Sequence, residues 1–152
     1  MKFKSLKALY PRLVSQIDCM PSITREIDLS RGITLPIRIK GLRRTIRTTA
    51  ALSLSSFECQ ISSTLAHRLG LIDLGYSYPT VYNGQSRIPL VIHQVDIEII
   101  IGGMGRPIYS HPLHNLKVVE NELNHGIGFV LGLQILQRGI FTLNAQTFSF
   151  SL

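Results

Sequence analysis

The clearest hydrophobic pattern in the chain is an alternation that starts at Ile33. From Ile33 to Ile39 every second residue is apolar, which is the period of a half-buried β-strand. Gly41 follows as a turn residue, and a second alternation runs from Leu42 to Leu52. The pattern predicts a β-hairpin with one buried face and one exposed face that carries arginine and lysine.

Further short strands and a short helix are predicted along the rest of the chain. Ser62–Leu69 reads as a helix that Ser62 or Ser63 can cap and that Gly70 can end in the left-handed conformation. The other predicted elements are strands at Tyr76–Tyr82, Ile88–Ile101, Arg106–Tyr109, Leu116–Val119, Gly126–Leu131, Phe141–Leu143 and Phe148–Phe150, and a helical turn at Gln134–Arg138. Short strands separated by turn signals such as Asn83-Gly84 indicate a small all-β barrel or sandwich.

The first 30 residues lack this alternation. Four apolar residues, Phe3, Leu6, Leu9 and Leu13, stand near helical spacing among lysines, which resembles a mitochondrial transit peptide or an amphipathic arm packed on the domain. We therefore divide the chain into a basic amino-terminal arm, residues 1–30, and one domain, residues 31–152.

Composition favours a globular protein with many cationic side chains. Hydrophobic residues make up 45% of the chain and charged residues 16%, which excludes a disordered chain, and the apolar runs are too short to cross a bilayer. The net charge of +7 favours an anionic partner such as RNA or an acidic protein, although the basic side chains can equally form a solvated surface. The candidate contacts are Arg38, Lys40, Arg43, Arg44 and Arg47 of the hairpin, with Lys2, Lys4 and Lys7 of the arm.

Cysteine and histidine usage points to a protein without a metal or other cofactor. Cys19 and Cys59 are the only cysteines, and the chain shows no secretory signal, so free thiols in a reducing intracellular compartment, cytoplasmic or mitochondrial, are expected. His111 and His114 lie beside Pro112 in a predicted loop and have no pair of thiolates near them in sequence, which disfavours a zinc site.

Several segments occur in the order found in one protein family. They are Leu35-Pro36-Ile37-Arg38-Ile39 with Gly41, Ala51-Leu52, Ile61 to Leu71, Val81-Tyr82-Asn83-Gly84-Gln85, and Val130-Leu131-Gly132 with Leu136 and Gly139. From Ile33 to Leu152 the chain thus resembles the retropepsin-like (clan AA) aspartic proteases. The resemblance implies a small closed β-barrel with one or two short helices, here preceded by the amino-terminal arm.

The resemblance places Ser53, Leu54, Ser55 and Ser56 where the family carries its catalytic Asp-Thr/Ser-Gly and the next residue. In these enzymes two carboxylates about 3 Å apart share one proton and activate water. A serine hydroxyl is not basic enough for this role, and Ser55 adds a Cβ where the family has glycine. We expect the serines to bond the turn, because the Gly-x-Ser-x-Gly pattern of serine hydrolases is missing.

The carboxyl-terminal alternation of Phe148 and Phe150 predicts an apolar edge strand through which two copies could pair. The alternative is that the amino-terminal arm covers this edge and the chain stays monomeric or joins a larger assembly. Either way, the predicted partners are proteins, a second copy of the chain included.

Three functions follow in order of preference. The first is an inactive retropepsin-like protein, a pseudoprotease that acts as a binding or structural module. The second is a structural subunit of a ribonucleoprotein, such as an organellar ribosome, which contacts RNA with its basic arm and hairpin. The third is an active aspartic peptidase that uses a relocated acid, for which Asp73 in Asp73-Leu74-Gly75 is the nearest candidate.

Overall fold

The structure is a computed structural model of the 152-residue chain. It describes residues 22–28, 30, 32–78, 80–81, 84–85, 88–102, 109–123 and 126–152. The predicted arm contacts Lys2, Lys4 and Lys7, and also Cys19 and Asn83, lie outside the described residues.

Strands dominate the described residues. In chain order the strands and two short helices are β1 (Ser22–Glu26), β2 (Thr34–Lys40), β3 (Thr45–Leu52), β4 (Cys59–Ile61), α1 (Ser63–Leu69), β5 (Tyr76–Ser77), β6 (Thr80–Val81), β7 (Gly84–Gln85), β8 (Leu90–Ile101), β9 (Tyr109–Glu120), β10 (Phe129–Leu131), α2 (Leu133–Leu136), β11 (Ile140–Leu143) and β12 (Thr147–Ser151).

Six strands close into a barrel. Their order is β2-β3-β10-β4-β9-β8, and β8 returns to pair with β2, which closes the ring, while β5 adds a short seventh strand at β8. Closure satisfies the backbone groups that an open sheet would leave at its edges. The predicted all-β closed barrel with one or two short helices is confirmed.

The predicted hairpin forms the first two strands of the barrel. β2 and β3 are antiparallel, with Leu35 opposite Ala50 and Arg38 opposite Arg47. The apolar positions of β2 are fully buried and the residues between them face outwards, because successive side chains of a strand point to opposite faces. β2 is not part of a free-standing ribbon, since its other side pairs with β8.

The helix after β4 begins and ends as its sequence predicts. The Ser62 hydroxyl accepts a hydrogen bond from the Leu65 backbone N–H at 3.3 Å, and Gly70 ends the helix with φ 69°. Leu65, Ala66 and Leu69 are buried against the barrel.

The region predicted as a loop around His111 and His114 is instead continuous strand. β9 runs without interruption through Pro112, which lies opposite Glu98 of β8. β4 pairs only with the last three residues of β9, so the half that holds Pro112 is an edge among the described residues. An edge strand tolerates proline because the missing N–H can face away from the sheet.

The carboxyl-terminal strand is not a sheet edge, which corrects the prediction for Phe148 and Phe150. β12 is the middle strand of a three-stranded sheet, with β1 on one side and β11 on the other. The side chains of Phe148 and Phe150 are 1% and 0% exposed and belong to the core. Part of the predicted arm, Ser22–Glu26, covers the edge, as the alternative reading of the sequence expected.

One hydrophobic core joins this sheet to the barrel. Ile23 of β1, Phe148 and Phe150 belong to the same buried cluster as Phe129 of β10 and the inward-facing residues of β2. The arm strand is therefore packed as part of the domain rather than attached to its surface.

No helix in the described ranges combines the length and the apolar character that a membrane crossing requires.

Candidate functional site

The loop between β3 and β4, residues 53–58, is termed the elbow. β10 lies between these two strands, parallel to β3 and antiparallel to β4. The Ser53 backbone N–H donates a hydrogen bond to the Leu131 carbonyl at 3.0 Å, which ties the first residue of the elbow to the end of β10. The family resemblance predicts that Ser53 to Ser56, in this loop, stand where the family carries its catalytic motif.

The serine hydroxyls of the elbow bond one another and the turn. The hydroxyl oxygens of Ser53 and Ser55 are 3.1 Å apart. Ser56 donates to the Glu58 carbonyl at 2.9 Å and accepts from the Gln60 side-chain amide at 2.8 Å. These contacts match the expected turn-forming role.

The back of the elbow lies against the amino end of α2. The backbone N–H of Leu133 donates to the Ser56 carbonyl and that of Gln134 to the Phe57 carbonyl, each at 2.9 Å. A Cβ at Gly132 would collide with the Glu58 and Phe57 carbonyls, so this contact requires glycine. The elbow is therefore held by backbone hydrogen bonds whichever side chains it carries.

The front of the elbow is apolar and exposed. The side chains of Leu54 and Phe57 are 59% and 45% exposed, and Ser55 between them is also exposed. Two large apolar side chains in one short loop offer more contact area to a protein than to a small polar substrate.

The candidate relocated acid is held in a local turn. One carboxylate oxygen of Asp73 accepts a hydrogen bond from the Gly75 backbone N–H at 2.7 Å, in the exposed loop after α1. The loop follows the end of α1, whereas the elbow precedes β4, which leads into the start of that helix. Within the described residues, no group of three or more histidine, cysteine, aspartate or glutamate side chains could hold a metal ion.

His93 is a buried histidine whose partner, Glu120, no local pattern in the sequence indicates. His93 is 5% exposed, and its Nε2 lies 2.7 Å from the Glu120 carboxylate while its Nδ1 lies 2.8 Å from the Ile72 carbonyl. The hydrogen bonds from His93 and Ser63 lower the pKa of Glu120, so this carboxylate is ionised at neutral pH. Both ring nitrogens therefore face oxygen atoms at hydrogen-bond distance, and these contacts hold the ring in place.

This group is not a hydrolase triad. A serine nucleophile needs the histidine between itself and the carboxylate. Here the carboxylate of Glu120 lies between Ser63 and His93. The second ring nitrogen of His93 is occupied by the Ile72 carbonyl, so the histidine cannot serve as a base toward a substrate.

Cys59 is an inert thiol. It is fully buried in β4, and burial raises its pKa to about 12, against a smaller opposite effect of the hydrogen bond from the Gly132 N–H. The thiolate, which is the reactive form, is therefore absent at physiological pH.

Two of the candidate hairpin cations have acidic neighbours. The Arg38 guanidinium pairs with Glu98 at 2.7 Å. Lys40 lies opposite Asp96 of β8, and the Asn115 backbone N–H, His114 and Lys40 together lower the pKa of the Asp96 carboxyl.

The other three cations occupy different surroundings. The aliphatic stem of Arg43 packs over Gly70, where a Cβ would meet it at 2.5 Å. Arg44, at the hairpin turn, and Arg47, on β3, are exposed and form no ion pair with another described residue. The predicted basic surface is thus partly neutralised.

Comparison with solved structures finds a likeness of fold. The chain is similar to the crystal structure of a retropepsin-like aspartic protease from Rickettsia conorii, with a TM-score of 0.47 and 15% sequence identity over 86% of this chain and 90% of that chain. No protein-family model matches the chain, and the search of curated proteins finds no match.

Proposed function

We propose that the chain is a catalytically inactive protein of the retropepsin-like type that serves as a binding or structural module. The observation that carries the proposal is the elbow, where the Ser53 and Ser55 hydroxyls bond each other at 3.1 Å. The order of sequence segments and the insertion of β10 between β3 and β4 support the assignment of this loop to the former catalytic position.

The chemistry of the elbow supports inactivity. Activation of water by an aspartic peptidase needs a carboxylate that can accept a proton near the working pH. A hydroxyl group in the same place can share a hydrogen bond with its neighbour but cannot take a proton from water. Leu54, which replaces a hydroxyl-bearing residue of the family motif, adds no polar group.

The exposed apolar side chains of the elbow support a protein partner. Leu54 and Phe57 project from a loop whose backbone is fixed by α2 and β10, so they can contact a partner without a large loss of conformational freedom. We infer that the partner is a second copy of this chain or a component of a larger complex, in a reducing intracellular compartment.

Peptide cleavage and sedimentation test the two halves of this proposal. The full chain, incubated with a mixed peptide library from pH 3 to pH 7, is expected to release no products, and Asp73→Asn is expected to change nothing. Cleavage that Asp73→Asn abolishes would establish the peptidase with a relocated acid instead.

For the binding half, L54S/F57S is expected to abolish self-association in sedimentation experiments. The control L42S/L74S removes two similarly exposed leucines away from the elbow and should leave self-association intact. Equal loss of self-association in both variants would refute binding through the elbow. A wild-type chain that is monomeric and binds no other protein from its native source would refute it as well.

A structural subunit of a ribonucleoprotein is the second candidate. Exposed Arg44 and Arg47 on the hairpin, without an ion-pair partner among the described residues, favour it. RNA association that weakens steeply as salt rises would support this function, because released counterions drive such binding. Purification from the native source with and without nuclease distinguishes an RNA-held assembly from a protein-held one.

A further inference from the structure

A cleft of about 440 Å³ opens beside β1, β3 and the end of β8. Arg25 of β1 and Arg47, Thr48 and Thr49 of β3 line it, with Ile100 and Gly102 on another wall. None of the described residues that line the cleft is acidic. It lies away from the elbow, which follows the other end of β3.

Strand geometry turns both arginines toward the same space. Arg25 lies two residues after Ile23, so the two share a face of β1, and Ile23 is 4% exposed in the core. Arg25 therefore lies on the face of β1 that packs against the barrel, at its exposed margin. Arg47 and Thr49 share the outward face of β3, where both are exposed.

The positive charge of the cleft is not balanced within the described part of the chain. Arg47 lies directly opposite Arg38, but Glu98 is already paired with Arg38. No described carboxylate forms an ion pair with Arg25 or Arg47.

Like charges opposite each other in a sheet destabilise it, and Arg25 adds a third guanidinium nearby. A bound anion would offset this repulsion.

We propose that this cleft binds a phosphate ester, held by the guanidinium groups of Arg25 and Arg47 and by the Thr49 hydroxyl. Two forked guanidinium groups and a hydroxyl offer more donors than one planar carboxylate can accept, whereas they suit the several oxygens of a tetrahedral phosphate. The cleft also has room for the sugar to which the phosphate is attached.

Free nucleotides and nucleic-acid strands present the same phosphate chemistry. The inference does not depend on the absence of proteolysis, and it concerns a different surface from the elbow.

Binding of a labelled single-stranded 12-nucleotide RNA to the full chain tests the proposal, with R25Q/R47Q as the main variant. R68Q/R138Q is the matched control, because it removes two exposed positive charges outside the cleft and outside the hairpin. R25Q/R47Q is expected to weaken RNA binding about tenfold or more. The slope of the logarithm of the binding constant against the logarithm of the salt concentration should become about 1.4 less steep, which corresponds to two lost phosphate contacts. The control is expected to weaken binding no more than about threefold through net charge.

Three further measurements sharpen the test. R25K/R47K keeps the charge but loses the forked geometry, so its affinity should fall between those of the wild type and R25Q/R47Q. Competition by inorganic phosphate and uridine monophosphate identifies the molecule that carries the bound phosphate. Competition by micromolar nucleotide indicates a free nucleotide as the ligand, and competition only by an oligonucleotide indicates a nucleic-acid strand. Melting temperatures within about 2 °C of the wild type would show that the exposed substitutions leave the fold intact.

Several outcomes would overturn the proposal. They are undetectable RNA and nucleotide binding by the wild type, equal weakening by the two double variants, and stronger competition by polyglutamate than by an oligonucleotide of equal charge. Loss of RNA binding in a separate R44Q variant, with binding by R25Q/R47Q unchanged, would support contact through the hairpin turn while refuting the cleft. This inference and the ribonucleoprotein function can therefore fail separately.

Discussion

The elbow and the His93–Glu120 pair lie beyond opposite ends of the short strand β4, and they are built in opposite ways. In the elbow, Ser53 bonds Ser55 two residues away and Ser56 bonds the Glu58 carbonyl two residues away, near the surface. At the pair, His93 contacts partners 21 and 27 residues away in sequence and is 5% exposed.

This difference distinguishes surface side chains that can be substituted from a buried contact that connects distant segments. The elbow side chains are short, uncharged and bonded locally, while the loop itself is held by backbone contacts to Leu131 and α2. The pair joins β8, β9 and the loop after α1 through two short contacts of the buried His93 ring. We therefore expect the elbow side chains to contribute little to the stability of the fold and the histidine to contribute much.

The largest expected effect comes from His93→Ala. The substitution removes the short contacts of the ring with the Glu120 carboxylate and the Ile72 carbonyl and opens a cavity, so the free energy of unfolding should fall by about 3 kcal/mol. Urea unfolding measures it, and His67→Ala, an exposed histidine on α1, is the control. A loss below about 0.5 kcal/mol, as for an ordinary surface substitution, would remove the distinction between the two regions.

A smaller effect is expected from acidification. The hydrogen bond from His93, and then that from Ser63, lowers the pKa of Glu120 below its ordinary value of 4.5. A carboxyl group with a lowered folded-state pKa contributes stability that is fully present above its unfolded pKa and is lost as pH falls through the folded value. The free energy of unfolding should thus decline below pH 4.5, toward the folded-state pKa.

Denaturant unfolding across this pH range provides the measurement. Glu120→Gln should flatten the decline, whereas Glu122→Gln, at an exposed neighbouring position, should leave it in place. An unchanged pH profile in Glu120→Gln would show that the carboxylate contributes no linked stability.

The smallest effects are expected in the elbow. Ser53→Ala and Ser55→Ala each remove one side of a hydroxyl contact near the surface, so the free energy of unfolding should change by no more than about 0.5 kcal/mol. Thermal melting of the two single variants and of the double variant measures this change. A loss above about 2 kcal/mol in either single variant would mean that the serines support the fold as strongly as the buried pair does.

Sequence reasoning succeeded where local rules decide the structure. The alternation from Ile33 to Leu52 predicted the β2–β3 hairpin because side-chain period and turn chemistry are set by neighbours in sequence. The same holds for α1, whose cap at Ser62 and end at Gly70 were both expected. The short strands predicted a barrel or a sandwich, and the family resemblance implied the closed barrel that the structure has.

It was less reliable where distant segments meet. Phe148 and Phe150 looked like an edge because nothing in their own strand indicates that β1 pairs with it. Pro112 looked like a loop breaker because the edge position that tolerates it depends on how little of β9 is covered by β4. A histidine followed 27 residues later by a glutamate carries no local signal for a buried ion pair.

The sequence by itself determined the strand periods, the turns and the absence of an aspartate at the elbow, since these depend on residue identity and on neighbours along the chain. Only the tertiary structure decided which strand lies at the centre of the second sheet, which histidine is buried with an acid and which arginines share a cleft. Those outcomes depend on distances between segments far apart in sequence, which are set when the barrel closes and the core excludes water.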